Sequence, residues 1–312
     1  MHSGTGAPTE LRTTDALSRI FDDKSMEIII LTLTRAAVYS LVAVGFVLVF
    51  SVGGILNLAH GTLFMLGAYF TYIFYTYLLG ASGTIALLFA MLLSIIIVCL
   101  FTLFLYFVLF RRRIDSVPYV MVISLAVALF AEQVLRLTLG ATSTAVPSII
   151  DGSANLLGVK VLWMELLILP VAVVILGALW SFLHYTKAGK AIEAVAQNRD
   201  GAILCGIRTN SVLALTLVIS SALAAVAGIL ISTLVTVTPV VWGYWLIKAF
   251  AIAILGGLGS LAGAVLAALI LSFLEIATTY AYSAHYADLI TLLVIVIALV
   301  FKPSGLMGIR RA

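Results

Sequence analysis

The 312-residue sequence is 63% hydrophobic and only 10% charged, with a mean hydropathy of +1.24. Soluble domains are about 45–50% apolar and about 25% charged, so water is not the solvent of this chain; the bilayer is. The net charge of +4 sits in connecting segments, where membrane topology places it, and is no signal for nucleic acid.

Residues 1–25 form a polar tail of mixed charge, without the basic-apolar-small order of a cleaved leader. Leu17, Ile20 and Phe21 are spaced for one face of a short surface helix over Thr14–Lys24; a flexible tail fits equally. From residue 26 to 312 the chain reads as one membrane domain. A span needs about 20 apolar residues at about 1.5 Å each. Nine runs qualify: Glu27–Phe50, Leu58–Leu79, Thr84–Phe110, Val117–Leu139, Val161–Leu183, Ser211–Val237, Val240–Leu255, Ser260–Tyr280 and Tyr286–Phe301. The fold class is therefore all-α, a polytopic transmembrane helix bundle of eight or nine spans, with broken or short helices near 51–61 and 240–263.

Along the first run, Arg35 has no local partner. The break that follows, Ser51-Val-Gly-Gly-Ile-Leu-Asn-Leu-Ala-His-Gly61, brings Gly53, Gly54 and Gly61 into a membrane-depth segment. Broken backbone there must be satisfied by protein, water or ligand. Asn57 is suited to cap the helix that begins near Leu58. His60 lacks a second ligand at metal spacing, so a hydrogen-bonded buried ring or a substrate contact are its two readings. The aromatics Tyr69, Phe70, Tyr72, Phe74, Tyr75 and Tyr77 crowd the outer end of the second run, where an interfacial belt belongs. Cys99 and Cys205 have no redox or metal spacing. Glu132 and Arg136 are placed to pair on one helix face.

The seventh run would be about 24 Å long as a helix. It carries Lys248, whose plain reading is a pair with an acidic residue such as Glu275. The second break, Leu255-Gly-Gly-Leu-Gly-Ser-Leu-Ala-Gly263, places Gly256, Gly257, Gly259 and Ser260 at a position comparable to the first. Matched breaks in two halves of a transporter point to a substrate path. Small residues form two helix-contact stripes, Ala214, Ser221, Ala225, Gly228 and Ser232, then Gly259, Gly263 and Ala267.

Three connections hold ten of the 17 basic residues: Arg111–Arg113; Lys187, Lys190, Arg199 and Arg208; and Lys302, Arg310 and Arg311. If all nine runs cross, these lie on one side, which is the cytoplasm. The N-terminus is then outside and the C-terminus inside, despite Arg12, Arg19 and Lys24 in the tail. The connection 184–210 fits two short helices, Lys187–Gln197 and Asp200–Cys205. Ile192 and Val195, then Ile203 and Leu204, give them apolar sides. Such a pair either lies on lipid or docks a partner.

That connection resembles the coupling loop of the branched-chain amino acid ABC transporter permeases of the LivH type, through Gly189-Lys-Ala191, Ala194, Ala196, Gln197-Asn198, Asp200, Ala202 and Gly206-Ile207. Three further stretches are similar to that family in the same order: Asn57-Leu-Ala-His-Gly61; Lys248-Ala-Phe250 with Leu255-Gly-Gly-Leu-Gly-Ser260 and Gly263; and Pro303-Ser-Gly-Leu-Met-Gly308. The resemblance runs from about Arg35 to Gly308; the longer tail and the charge at Arg35 depart from it. It implies a permease subunit of an importer in the cytoplasmic membrane, passing branched-chain amino acids, urea, short-chain amides or other amino acids. Partners implied are two ATPase subunits, which use ATP and Mg, a second homologous permease, and an extracytoplasmic substrate-binding protein. Gly53, Gly54, Asn57, His60, Gly61, Gly256, Gly257, Gly259 and Ser260 are then expected along the translocation path or its gate. Gly189, Glu193, Ala194, Asn198, Asp200 and Gly206 are expected in ATPase coupling.

The sequence has no Gly-x-x-x-x-Gly-Lys-Ser/Thr, so no ATP hydrolysis, bound cofactor or catalytic residue is assigned to this chain itself. The rival reading, an ion-coupled secondary transporter or channel, wants clustered carboxylates; Glu132, Glu165, Glu275 and Asp288 are scattered in sequence.

Overall fold

The structure, a computed structural model, describes residues 9–80, 83–114, 116–140, 143–156, 159–302 and 305–308, and their side chains apart from those of 9–25, 156, 159 and 299. Each of the nine apolar runs contains a helix. Helix α1 is Thr9–Gly53 and α2 is His60–Ile73, extended by a wider turn over Phe74–Leu78. Helix α3 is Gly83–Leu105, ending in a similar turn over Tyr106–Phe110, and α4 is Val117–Leu139. Then come α5 (Trp163–Tyr185), α6 (Lys187–Gln197), α7 (Arg199–Leu204), α8 (Thr209–Ser232), α9 (Val241–Gly256), α10 (Leu261–Ala281) and α11 (Ala284–Phe301).

Six stretches among the described residues are long and apolar enough to cross a bilayer: Met26–Gly53, Gly83–Phe110, Val117–Leu139, Trp163–Tyr185, Thr209–Ser232 and Leu261–Ala281. Val241–Gly256 and Ala284–Ala298 are shorter apolar helices. The chain is thus a multi-pass helical membrane protein. Two features depart from expectation. Helix α1 runs without interruption from Thr9, so the polar tail continues the first span instead of ending before it; Arg12, Arg19 and Lys24 lie outside the described side chains. A small antiparallel hairpin, β1 (Ser153–Leu156) with β2 (Val159–Leu162), occupies the α4–α5 connection and takes the first residues of the expected fifth run.

Burial sorts the helices. The apolar window of α1 is 83% buried, whereas that of α5 is 22% buried, so α1 is the central post and α5 faces outward. Helix α1 packs along α10, α8, α5 and α9; α2 lies against α8, α3 and α9. Lipid gives little hydrophobic drive between helices, so their backbones must come close to gain packing. They do so at the predicted small residues. A Cβ on Gly228 would lie 2.0 Å from the Phe64 carbonyl oxygen, and one on Gly67 would lie 2.6 Å from Ala225. Ser221, Ala225, Gly228 and Ser232 are buried along that seam, and Ala214 is half-buried at its end. In the other stripe Gly263 and Ala267 are buried on α10, but Gly259 precedes the helix and is exposed.

Helix α9 is closed at its carboxyl end by a distant segment. The Leu306 and Met307 amides donate to the Leu255 and Gly256 carbonyls at 2.8 and 3.0 Å. These are the acceptors a helix end leaves bare. Gly305, at φ 74°, turns the chain hard against Gly257 to reach them. Pro303, Arg310 and Arg311 lie outside the described residues.

Candidate functional site

The first break is a passage of extended chain inside the bundle. Helix α1 stops at Gly53, and Gly54 at φ 63° reverses the direction. Ile55, Asn57 and Ala59 are then buried on the way to α2. His60 fixes the depth at which α2 starts. Its Nε2 lies 2.9 Å from the Val42 carbonyl oxygen, and its Nδ1 lies 3.3 Å from the Ser220 hydroxyl. Val42 is mid-way along the apolar part of α1, and Ser220 is mid-way along α8. Helix α2 therefore begins at mid-depth of the bundle. A carbonyl only accepts, so Nε2 carries the proton and Nδ1 accepts from Ser220.

Several amides of the break are paired. Gly54 donates to the Phe50 carbonyl at 2.8 Å and Leu58 to the Ser124 hydroxyl at 3.0 Å. The Asn57 side chain accepts from the Ala59 amide at 3.1 Å. Asn57 is thus a turn-former two residues before the cap position, which Ala59 holds. Gly61 allows the first turn of α2 to touch the first turn of α9: a Cβ there would lie 2.0 Å from the Trp242 carbonyl oxygen. His60 is locked rather than free, and Asn57, His60 and Gly61 are all buried in this chain.

The second break is a tight corner. Gly257 at φ 104° ends α9 and Gly259 at φ 109° follows. The Ser260 hydroxyl accepts from the Gly263 amide at 3.0 Å and caps α10. Gly256 and Gly263 face each other so closely that a Cβ on either would strike the other's backbone within 2.5 Å. The two breaks meet at their edge, where a Cβ on Gly259 would stand 3.8 Å from Ser51 Oγ. Gly53 is lined by Ile55 and Leu213.

A buried polar cluster joins α9, α10, α11 and α1. Lys248 on α9 pairs with Glu275 on α10, as its sequence position suggests, and donates to the Thr291 hydroxyl at 2.6 Å and to Asp288 at 3.2 Å, both on α11. Tyr39 of α1 donates to Glu275 at 2.6 Å, and the Tyr244 ring lies 4.9 Å from the ammonium. Four helices thus share one charge pair, in which Lys248 is 2% exposed and Glu275 fully buried. Glu275 and Asp288, scattered in sequence, converge here on one cation; Glu132 and Glu165 do not join them. Tyr39 and Thr291 carried no sequence signal, because a lone hydroxyl in an apolar run shows neither its facing helix nor its depth. Glu132 pairs with Arg136 at 2.8 Å as expected and also accepts from the Trp242 indole at 2.5 Å, tying α4 to the start of α9. Arg35 is half-buried one turn before Tyr39.

At the far end, α6 and α7 form a compact projection. Thr186 caps α6 through Gly189, and Asn198 caps α7 through Gly201, each at 2.9 Å. Gly189 is pressed against the end of α5; a Cβ would lie 2.2 Å from the Phe182 carbonyl oxygen. Ile192 and Val195 are buried beneath α6. Helix α7 ends through two nested bonds, Gly206 to the Ile203 carbonyl and Ile207 to the Ala202 carbonyl, with Gly206 left-handed at φ 80°. Ile203 and Leu204, the apolar side read for α7, are 50% and 88% exposed, and Ala202 is buried beneath the helix. Glu193 lies 3.7 Å from His184, Ala194 is half-buried, and Asp200 is exposed.

A central helix, two glycine corners, a half-depth helix and a capped projection at one end define the class: a polytopic helical membrane bundle. The family described as branched-chain amino acid transport system, permease component, matches residues 28–299, and the chain belongs to it. It is 31% identical over 292 residues to the high-affinity branched-chain amino acid transport system permease protein LivH of Salmonella typhimurium, covering 88% of this chain and 92% of that one. It is 30% identical over 286 residues to the corresponding protein BraD of Pseudomonas aeruginosa, covering 88% and 93%. Identity to LivH of Escherichia coli K12 is 30% over 292 residues. No solved structure matches the chain.

Proposed function

We propose that this permease passes branched-chain amino acids through the cytoplasmic membrane as one half of the membrane path of an ATP-driven importer. The observation that carries the reading is the family match over residues 28–299. The α6–α7 projection supplies the structural support: Ile203 and Leu204 stand exposed side by side on it, an apolar pair that in this reading the ATPase covers.

In this reading two ATPase subunits, which hold ATP and Mg, grip α6–α7 from the cytoplasm. A second homologous permease completes the path, and an extracytoplasmic binding protein delivers substrate. The N-terminus is outside and the C-terminus inside. Helix α6 packs on α5, α1 and α8, so a push on the projection reaches the central post directly. The glycine corners at 53–61 and 256–263 are the places where the bundle yields between inward- and outward-facing states. Gly53, Gly54, Asn57, His60, Gly61, Gly256, Gly257, Gly259 and Ser260 serve this movement as hinges and locks of the gate. Gly189, Glu193, Ala194, Asn198, Asp200 and Gly206 give the projection its shape.

The test is leucine uptake into proteoliposomes holding the whole complex, with its binding protein and internal ATP. Uptake should depend on ATP and survive collapse of the ion gradients. Glu193→Ala and Gly206→Val should leave the complex assembled and hydrolysing ATP while uptake falls by about tenfold. Normal uptake in both variants rejects the coupling role, and uptake driven by an ion gradient without ATP rejects the importer.

A further inference from the structure

A cavity of about 250 Å³ opens at the end of the bundle opposite α6–α7, between the start of α1's apolar stretch, strand β2 and the first turn of α5. Three charged residues line it, Glu27, Lys160 and Glu165, with Ile30, Leu31 and Val161 as its apolar wall. The ion pairs among the described residues include none of the three.

Both carboxylates have neighbours behind them. Tyr280 of α10 stands beside Glu27. Glu165 Oε2 accepts from the Leu162 amide at 3.2 Å, and the Thr34 hydroxyl donates to the Glu165 carbonyl at 3.3 Å. A carboxylate has about four acceptor positions, so each keeps capacity for a further donor. Lys160 stands on β2, opposite Asn155 in the hairpin register.

The charge pattern selects the ligand. A free metal cation would answer the two carboxylates and leave Lys160 opposed to it. A simple anion would face both carboxylates. A zwitterion matches all three groups at once, its ammonium toward Glu27 and Glu165 and its carboxylate toward Lys160. The apolar wall then fits an aliphatic side chain, and the volume, below the usual range for drug-sized ligands, fits a small metabolite. We infer that this cavity is a receiving site for a zwitterionic aliphatic amino acid, at the mouth where substrate enters. The inference rests on the proposed direction of transport and adds to it a place where the permease itself holds substrate.

The experiment is equilibrium binding of radiolabelled leucine to the purified transporter complex in nanodiscs, with the soluble receptor left out. Binding should saturate. It should weaken by at least about tenfold in Lys160→Met and in Glu165→Gln, the scale of one charge-assisted hydrogen bond, and Lys160→Arg should restore it. Valine should displace the label. 3-Methylbutanoate and 3-methylbutylamine, each lacking one of the two charges, should not. Binding unchanged in both variants, or displacement by either single-charge analogue at leucine's own concentration, overturns the site. So does absence of saturable binding in a complex that takes up leucine with its receptor present. That last result leaves the importer reading intact, whereas a wild-type complex with receptor and ATP that moves no leucine sinks the importer reading instead.

Discussion

Lys248 is the residue on which most of the interior polar chemistry depends. Removing one partner of a buried ion pair strands the other charge, at a cost of about 3–5 kcal/mol, whereas removing both is often far cheaper. Lys248→Met should therefore lower the unfolding midpoint of the detergent-solubilised protein more than the double variant Lys248→Met/Glu275→Leu does. If the double variant loses the sum of the single losses, the pair is not coupled as drawn. Glycine positions divide in the same residue-level way. Gly61→Ala and Gly228→Ala put a methyl group 2.0 Å from a backbone oxygen and should each cost about 1–3 kcal/mol or more by forcing helices apart. Gly177→Ala, where nothing lies within 4 Å, should leave the midpoint unchanged or higher. Equal losses at all three would deny the close crossing of α2 with α8 and α9. The Lys248–Glu275 pair was legible in sequence because few acids lie within spans to answer a buried lysine. Tyr39 and Thr291 were not, since they come from the first and last helices and only the packing brings them together.

Among the elements, lipid-spanning helices were easy to read and their depth was not. Twenty apolar residues in a row announce a span, and each of the nine runs contains a helix in the structure. The Gly-Gly break before α2 was also visible, but nothing in the letters says that α2 begins half-way through the bundle. That depth is set by His60 reaching Val42 and Ser220, both remote in sequence. The β1–β2 hairpin went unseen because four-residue strands are too short to show an alternation. Helix α6 was read to its ends, since Thr186 and Asn198 are side chains of capping type. The apolar side read at Ile203 and Leu204 faces outward, because a six-residue helix has one buried face position to fill and Ala202 takes it. The outward pair makes a direct prediction. Ile203→Ser with Leu204→Ser should reduce co-purification of the ATPase subunits by about tenfold or more without changing the permease's own unfolding midpoint. Retention of the full ATPase complement would mean that lipid, not protein, covers these side chains.

For the molecule as a whole, sidedness is the property from which the rest of the assignment follows. The proposed topology puts α6–α7, with its basic connection, in the cytoplasm, and the protein carries its own probe there. Cys205 is exposed at the end of α7, while Cys99 is half-buried against Val218 and Ser221 at 3.8 Å. In intact cells a membrane-impermeant maleimide should leave Cys205 unlabelled, and permeabilising the membrane should expose it; Cys205→Ser should abolish the signal. Labelling of intact cells at Cys205 would invert the topology and remove the coupling argument with it. A different constraint acts during biosynthesis. Translation proceeds from the amino end, so the helix that stops at Gly256 enters the bilayer well before Leu306 and Met307 exist. Until they leave the ribosome, the last carbonyls of that helix lack the amides that close it. Maturation of the bundle must therefore wait for residues made after α11, and ribosomes arrested upstream of Gly305 should display chains that are inserted but still open to protease at this corner.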